Sequence, residues 1–323
     1  MLAAMRPLAL SLALLPLLGL ALGCNAILGT EAPILEGSTG SGGGDAGAAC
    51  TDDGAWARWD VVSPPADRYT VESGSVTDAL THLTWQQEPT NTTSDVDFEH
   101  ATSDCAELTL GGKKGWRLPR RMELVSIIDR TQLPISIDGS IFLDTQQAGY
   151  WTQTPFLGAK GGEWIVSFNG GQILSTGDQN VHTDLVRCVH DPDTRTLPCH
   201  GYDLSDDAFA VDTATKLSWQ RIADSTKRDQ TDAETFCMGL DLGSLHAGWT
   251  LPTIGELVTL VDAGHVDPAL DPAAFPGEKG SYYWSSSISP AYADAAWDVD
   301  FTDGKTDSTY NANPEILVRC VHE

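Results

Sequence analysis

Apolar positions recur along this chain with two periods, and the changes of period mark its elements. From Asp97 to Leu108 and from Asp232 to Leu240 the spacing predicts helices. Ala101 with Cys105, and Ala233 with Cys237, lie four apart on one face that meets the core. Trp116-Arg-Leu and Trp249-Thr-Leu predict short extended pieces ended by Pro119 and Pro252, because proline pushes its predecessor away from helix. Thr253-Ile-Gly-Glu256 then has the form of a capping box ahead of Leu257, Leu260 and Val261 at helical spacing. The first half keeps Glu123 but puts Arg120 at the cap, which loses half the box. Trp164-Ile-Val-Ser-Phe168 and Trp297-Asp-Val-Asp-Phe301 alternate, with Trp, Val and Phe on one face. Each is followed by a turn signal, Asn169-Gly170-Gly171 or Asp303-Gly304, so both predict hairpin strands. Leu185 to Val189 and Leu317 to Val321 predict closing strands that bring a cysteine back to each first helix.

These paired segments are one pattern written twice. Shifted by about 133 positions, Trp85-Gln86 meets Trp219-Gln220, and Trp116, Leu118 and Pro119 meet Trp249, Leu251 and Pro252. Tyr150-Trp151 meets Tyr283-Trp284, and Val186-Arg-Cys-Val-His190 meets Val318-Arg-Cys-Val-His322. The chain is therefore a tandem duplication, copy 1 over residues 53–192 and copy 2 over 193–323. Each copy is long enough to bury a core of its own, unlike a solenoid unit. Cys105 to Cys188 and Cys237 to Cys320 are both 83 residues apart, a spacing that unpaired thiols have no reason to keep, so each copy is expected to close one disulfide. Cys50 and Cys199 each precede a Trp-Gln motif and are read as a bond between the copies. Zinc is the weaker reading, since no close Cys/His spacing occurs.

The first residues change the address. A basic start at Arg6, an apolar run from Leu8 to Leu22 and Gly23-Cys24 form an export signal over residues 1–23, too short for a comfortable membrane span. Leu20-Ala-Leu-Gly-Cys24 resembles the lipobox of bacterial lipoproteins, which implies a lipidated Cys24. Plain secretion is the alternative. The Gly, Ser and Ala run within residues 24–52 reads as a flexible tether with a reach of roughly 25 to 30 Å. The expected place is the bacterial cell envelope, lipid-anchored, at the outer membrane or cell surface rather than the inner membrane. A formal charge of -26 disfavours nucleic acid and other polyanions as partners. The one basic cluster, Arg117, Arg120 and Arg121, reads as a solvated helix start.

The order Leu-Thr-Trp-Gln, Ala-x-x-x-Cys, Gly-Trp-Arg-Leu-Pro-x-x-x-Glu-Leu, Tyr-Trp and Val-Arg-Cys-Val resembles the Lcl C-terminal domain family, named for a collagen-like bacterial adhesin. The resemblance implies an α+β fold: two tandem C-type-lectin-like domains, each with helices against a small, mainly antiparallel sheet. It also implies ligand or surface binding without catalysis, toward a cell-surface polysaccharide, a peptide or an envelope protein. The chain departs from the namesake in having no Gly-X-Y repeat.

Candidate chemistry is thin. Glu123 and Glu256 are read as helix-start carboxylates rather than general bases. Asp298, Asp300 and Asp303 invite calcium, but the spacing misses the EF-hand loop and alternation assigns Asp298 and Asp300 to the wet face of a strand. No cofactor is required, with calcium the weaker alternative. His190 and His322 read as exposed strand ends, and no Gly-x-Ser-x-Gly, phosphate loop or His-Glu-x-x-His occurs. A formylglycine-generating or metal-dependent enzyme is the alternative function, and a structural spacer another. Most shared tryptophans are assigned to the core. Ligand contacts are expected where the copies differ, at Ser285 to Ala295, Tyr310 to Glu315 and Gln179 to Asp184, with Tyr292, Tyr310, Asn311 and Asn313 as candidate binding residues.

Overall fold

A computed structural model describes residues 67–90, 96–159, 162–177, 184–191 and 201–323. The export signal, Cys24, the tether, Cys50 and Cys199 lie outside the described residues. What is described is mostly sheet with few helices. Among the described residues no helix is long and apolar enough to cross a membrane.

Copy 1 opens with β1 (Tyr69–Glu72), β2 (Ser75–Asp78) and β3 (Thr84–Gln86), followed by α1 (Phe98–Glu107) and α2 (Arg121–Val125). A hairpin set follows, β4 (Gly149–Phe156), β5 (Gly162–Ser167) and β6 (Gln172–Ser175), then β7 (Val189–His190). Copy 2 repeats the order as β8 (Tyr202–Asp203), β9 (Phe209–Asp212), β10 (Ser218–Gln220), β11 (Asp224–Arg228), α3 (Gln230–Met238) and α4 (Ile254–Leu257). It ends with β12 (Tyr282–Ile288), β13 (Ala295–Asp300), β14 (Lys305–Tyr310), β15 (Ile316–Val318) and β16 (Val321–His322). Each copy has a four-stranded sheet, β1-β2-β3-β7 or β16-β10-β9-β8, and a second sheet, β4-β5-β6 or β11-β15-β12-β13-β14. Strand pairs are antiparallel except β12 with β15.

The expected closing strand divides in two. Leu317 pairs in parallel with Tyr283, whereas Val321 and His322 pair antiparallel with β10. In copy 1, Leu185 bridges Tyr150 and Val189-His190 pairs with β3. The break falls at the Arg-Cys pair because both residues turn inward: Arg187, Cys188, Arg319 and Cys320 are fully buried. The expected disulfides, Cys105–Cys188 and Cys237–Cys320, are both formed. Around each lies a small cluster of its own copy, with Ala101, Trp116 and Trp151 in one and Ala233, Trp249 and Trp284 in the other.

The main core is shared. Trp85, Met122, Tyr150 and Trp164 of copy 1 belong to one apolar cluster with Trp219, Leu257, Val261 and Trp297 of copy 2. Although each copy is long enough for a core of its own, apolar faces of each are covered by the other. The contact is isologous, meaning that matching surfaces meet. Ile173 and Thr306 occupy matching positions, and Ile173 N donates to Thr306 Oγ1 at 2.8 Å. Gly304, with φ of +83°, leaves room for Val261 and Trp164, since a Cβ there would stand 2.4 Å from Val261 Cγ1 and 3.0 Å from Trp164 Cη2. Across this pseudo-twofold, Arg130 of copy 1 lies over the Trp297 ring of copy 2 at 5.4 Å. Arg121 crosses the same junction. It is buried, stacks on Trp164 at 5.1 Å and donates from Nη2 to Val261 O at 3.0 Å. That corrects the reading of Arg121 as solvated, because the junction covers the start of α2.

Candidate functional site

A groove of about 370 Å³ opens at the junction of the two copies. Copy 1 contributes Leu133, Pro134, Asn169, Gly170 and Gln172. Copy 2 contributes Ser289, Pro290, Ala291 and Tyr292 from the β12–β13 loop, with Trp297 of β13 and Ser308 of β14. The size lies within the ordinary range of ligand pockets. Its apolar walls come from the prolines and Leu133, and its polar groups include the amides of Asn169 and Gln172 and the hydroxyl of Ser308, with Ser289 buried. Tyr292 is 59 % exposed, whereas Trp297 is 3 % exposed.

Of the expected binding residues, Tyr292 alone lines this groove. Tyr310 is exposed at the end of β14, opposite Ala295. Asn311 continues the β13–β14 ladder past Tyr310 through its backbone, its N donating to Asp294 O and its O accepting from Gln230 N. Asn313 accepts from Glu315 N through Oδ1, a turn contact. Of Gln179 to Asp184 only Asp184 is described, and it is buried. Trp297, Gln172 and Asn169 were not among the expected binding residues. The signal that points to them is a difference between the copies at Ser289, taken up below.

The three aspartates are not brought together. Asp300 Oδ1 accepts from Thr302 N at 2.8 Å, and Asp303 pairs with Lys305 Nζ at 2.7 Å, both turn contacts of the β13–β14 hairpin. Asp298 is 0 % exposed, opposite Trp284 on one side and Asp307 on the other, and neither carboxylate oxygen is hydrogen-bonded. Its assignment to a wet strand face is therefore overturned. That face packs under α3 at Trp284 and Ala296, which covers Asp298 and leaves Asp307 beside it exposed. Burial pushes its pKa up from 3.8 to about 7; the Thr309 hydroxyl opposes the rise, and Asp307 and Asp300 add to it. Among the described residues no three His, Cys, Asp or Glu side chains gather as a metal site.

The comparisons bear on the same repeat. The model of the Lcl C-terminal domain matches residues 74–190 and again 208–322. The chain belongs to the Lcl C-terminal domain family. No curated protein matches it.

The letters that the two Lcl C-terminal domains share mostly build architecture. Gln86 Oε1 accepts from Cys188 N and Gln220 Oε1 from Cys320 N, so the Trp-Gln strand holds the disulfide strand through a side chain. Arg187 donates from Nη1 to the carbonyls of Gln86 and Gln87, both at 2.6 Å, and Arg319 from Nη1 to those of Gln220 and Arg221. The shared tryptophans are core, as expected: Trp85, Trp164, Trp219, Trp249 and Trp284 are essentially inaccessible.

The helix-start carboxylates also behave as read. Glu256 Oε2 accepts from Thr253 N at 2.7 Å, and Thr253 Oγ1 accepts from Glu256 N at 3.2 Å. Copy 1 keeps the first of these bonds, Arg120 N to Glu123 Oε2 at 2.7 Å, and Arg117 adds a two-pronged pair to the same carboxylate. The histidines correct the expectation of exposed termini: both are half-buried, with His190 against Trp116 at 5.5 Å and His322 against Trp249 at 5.6 Å.

Proposed function

We propose that this chain is a non-catalytic binding module of the bacterial cell envelope, held on a membrane through lipid at Cys24. The tether after Cys24 lifts two α+β, lectin-like domains clear of the surface, where they engage an envelope protein, a peptide or a polysaccharide. The observation that carries the reading is the junction groove, where Trp297 and the exposed Tyr292 meet Asn169, Gln172 and Ser308 in one concave site. Mixed apolar walls with a few convergent polar groups are what recognition sites use. Two disulfides agree with an oxidising compartment. The acidity directs the module away from polyanionic partners.

The test is capture from solubilised envelope, together with an oligosaccharide array, using the exported protein. Gln172→Ala and Tyr292→Ala are expected to weaken capture at least tenfold while far-UV circular dichroism stays unchanged. Undiminished capture by both variants, or no ligand from either source for the folded wild-type protein, would reject the reading.

A further inference from the structure

The pseudo-twofold gives the groove an internal mate, and the mate is filled by the chain itself. The position in copy 1 that matches Ser289 is Phe156, which is buried. Its ring meets Trp164 edge-on, with centroids 5.0 Å apart and planes at 80°. The Lys305 ammonium of copy 2 stands 5.1 Å from its centroid. Each neighbour has a counterpart at the groove: Trp297 for Trp164, Gln172 for Lys305, and Ala291 for Gly158. The last pair is informative. A Cβ at Gly158 would stand 2.3 Å from Cζ of Phe156, so the plug requires glycine two residues on. Copy 2 carries alanine there and serine at the plug position. Two linked substitutions thus fill one of two matching places with a phenyl ring and leave the other, in the groove, with the small buried side chain of Ser289.

Resting on the binding reading above, we infer that the groove beside Trp297 receives a phenyl ring presented by a partner polypeptide, in the place that Phe156 takes at the mate. The mate supplies the chemistry, a phenyl ring crossing a tryptophan edge beneath a polar side chain from the other copy. Trp297 lacks the exposed face on which a sugar ring would stack, because the Arg130 guanidinium lies over it and 3 % exposure remains. Leu133, Pro134 and Pro290 wall the slot. Asn169, Gln172 and Ser308 stand at its rim, where the peptide groups on either side of an aromatic residue need partners.

The exported protein is titrated with acetyl-Gly-Phe-Gly-amide, acetyl-Gly-Ala-Gly-amide and chitohexaose while its tryptophan indole signals are followed by nuclear magnetic resonance, Trp297 being assigned from Trp297→Phe. The phenylalanine peptide is expected to shift the Trp297 signal saturably with one equivalent, and the other two probes to leave it in place. The double variant Ser289→Phe/Ala291→Gly is expected to keep or raise Tm and to weaken the peptide at least tenfold. Phe156→Ser/Gly158→Ala is expected to bind a second equivalent; where it does not fold, the plugged variant decides alone. Unchanged peptide binding by a folded plugged variant, a Trp297 response to chitohexaose alone, or no response to any probe would overturn the inference. A plugged variant that still captures an envelope partner also overturns it but leaves the broader binding reading standing.

Discussion

Arg319→Met is expected to lower unfolding free energy by about 3 to 5 kcal/mol, the usual cost of removing one member of a buried ion pair. Arg319 is fully buried, and its Nη2 donates to Glu278 Oε2 at 2.5 Å. The guanidinium also stacks over Phe275 at 4.4 Å and Tyr283 at 5.6 Å. Methionine fills much of the volume but leaves the carbonyls of Gln220 and Arg221 without this donor and leaves Glu278 with a hydrogen bond from the Tyr283 hydroxyl. Copy 1 separates the two contributions, because Arg187 bonds the neutral Thr145 at the position of Glu278. Arg187→Met should therefore cost less, and Arg319→Met/Glu278→Thr should recover part of the loss. Guanidinium unfolding of the four proteins measures this; equal costs for the two arginines would show that the carboxylate contributes nothing.

Asp298→Ile is expected to stabilise the protein, and more so as pH rises. The carboxyl titrates at about 7 in the folded chain against 3.8 for an ordinary aspartate. Between those values the folded state holds a proton that the unfolded state has released, so stability falls as pH rises from about 4 through 7 and levels off above. The scale of that loss is on the order of 4 kcal/mol. Isoleucine is what copy 1 carries at this place: Ile165 is buried opposite Trp151, as Asp298 is opposite Trp284. Glu163, also pushed up to about 7 by burial, adds a slope of the same sign in both proteins and cancels in the comparison. Parallel stability curves for wild type and Asp298→Ile between pH 4 and 8 would refute the argument.

Much of the architecture was legible because duplication writes every structural constraint twice. Equal cysteine spacings paired the disulfides, the four-residue step placed Ala101 with Cys105 and Ala233 with Cys237, and Thr253 with Glu256 started a helix. Reading alternation at Asp298 failed for a physical reason: it presumes a face that is wet along its whole length, and here α3 covers that face as far as Asp298 and leaves Asp307 exposed. The break at Arg319-Cys320 escaped as well, since a buried arginine in an apolar run looks like the wet position of a strand. The groove was the least legible feature. Its position depends on how the copies pack, and its openness depends on the exchange of Phe156 and Gly158 for Ser289 and Ala291. What the copies share specifies the fold, whereas their linked differences mark the candidate site.

The shared core makes the two copies one cooperative body, and differential scanning calorimetry of the disulfide-intact exported protein measures that directly. A single endotherm is expected, with calorimetric and van't Hoff enthalpies that agree, shifted as a whole to lower temperature by Gly304→Ala at the junction. Two separate endotherms, with the Gly304→Ala change confined to one of them, would contradict it.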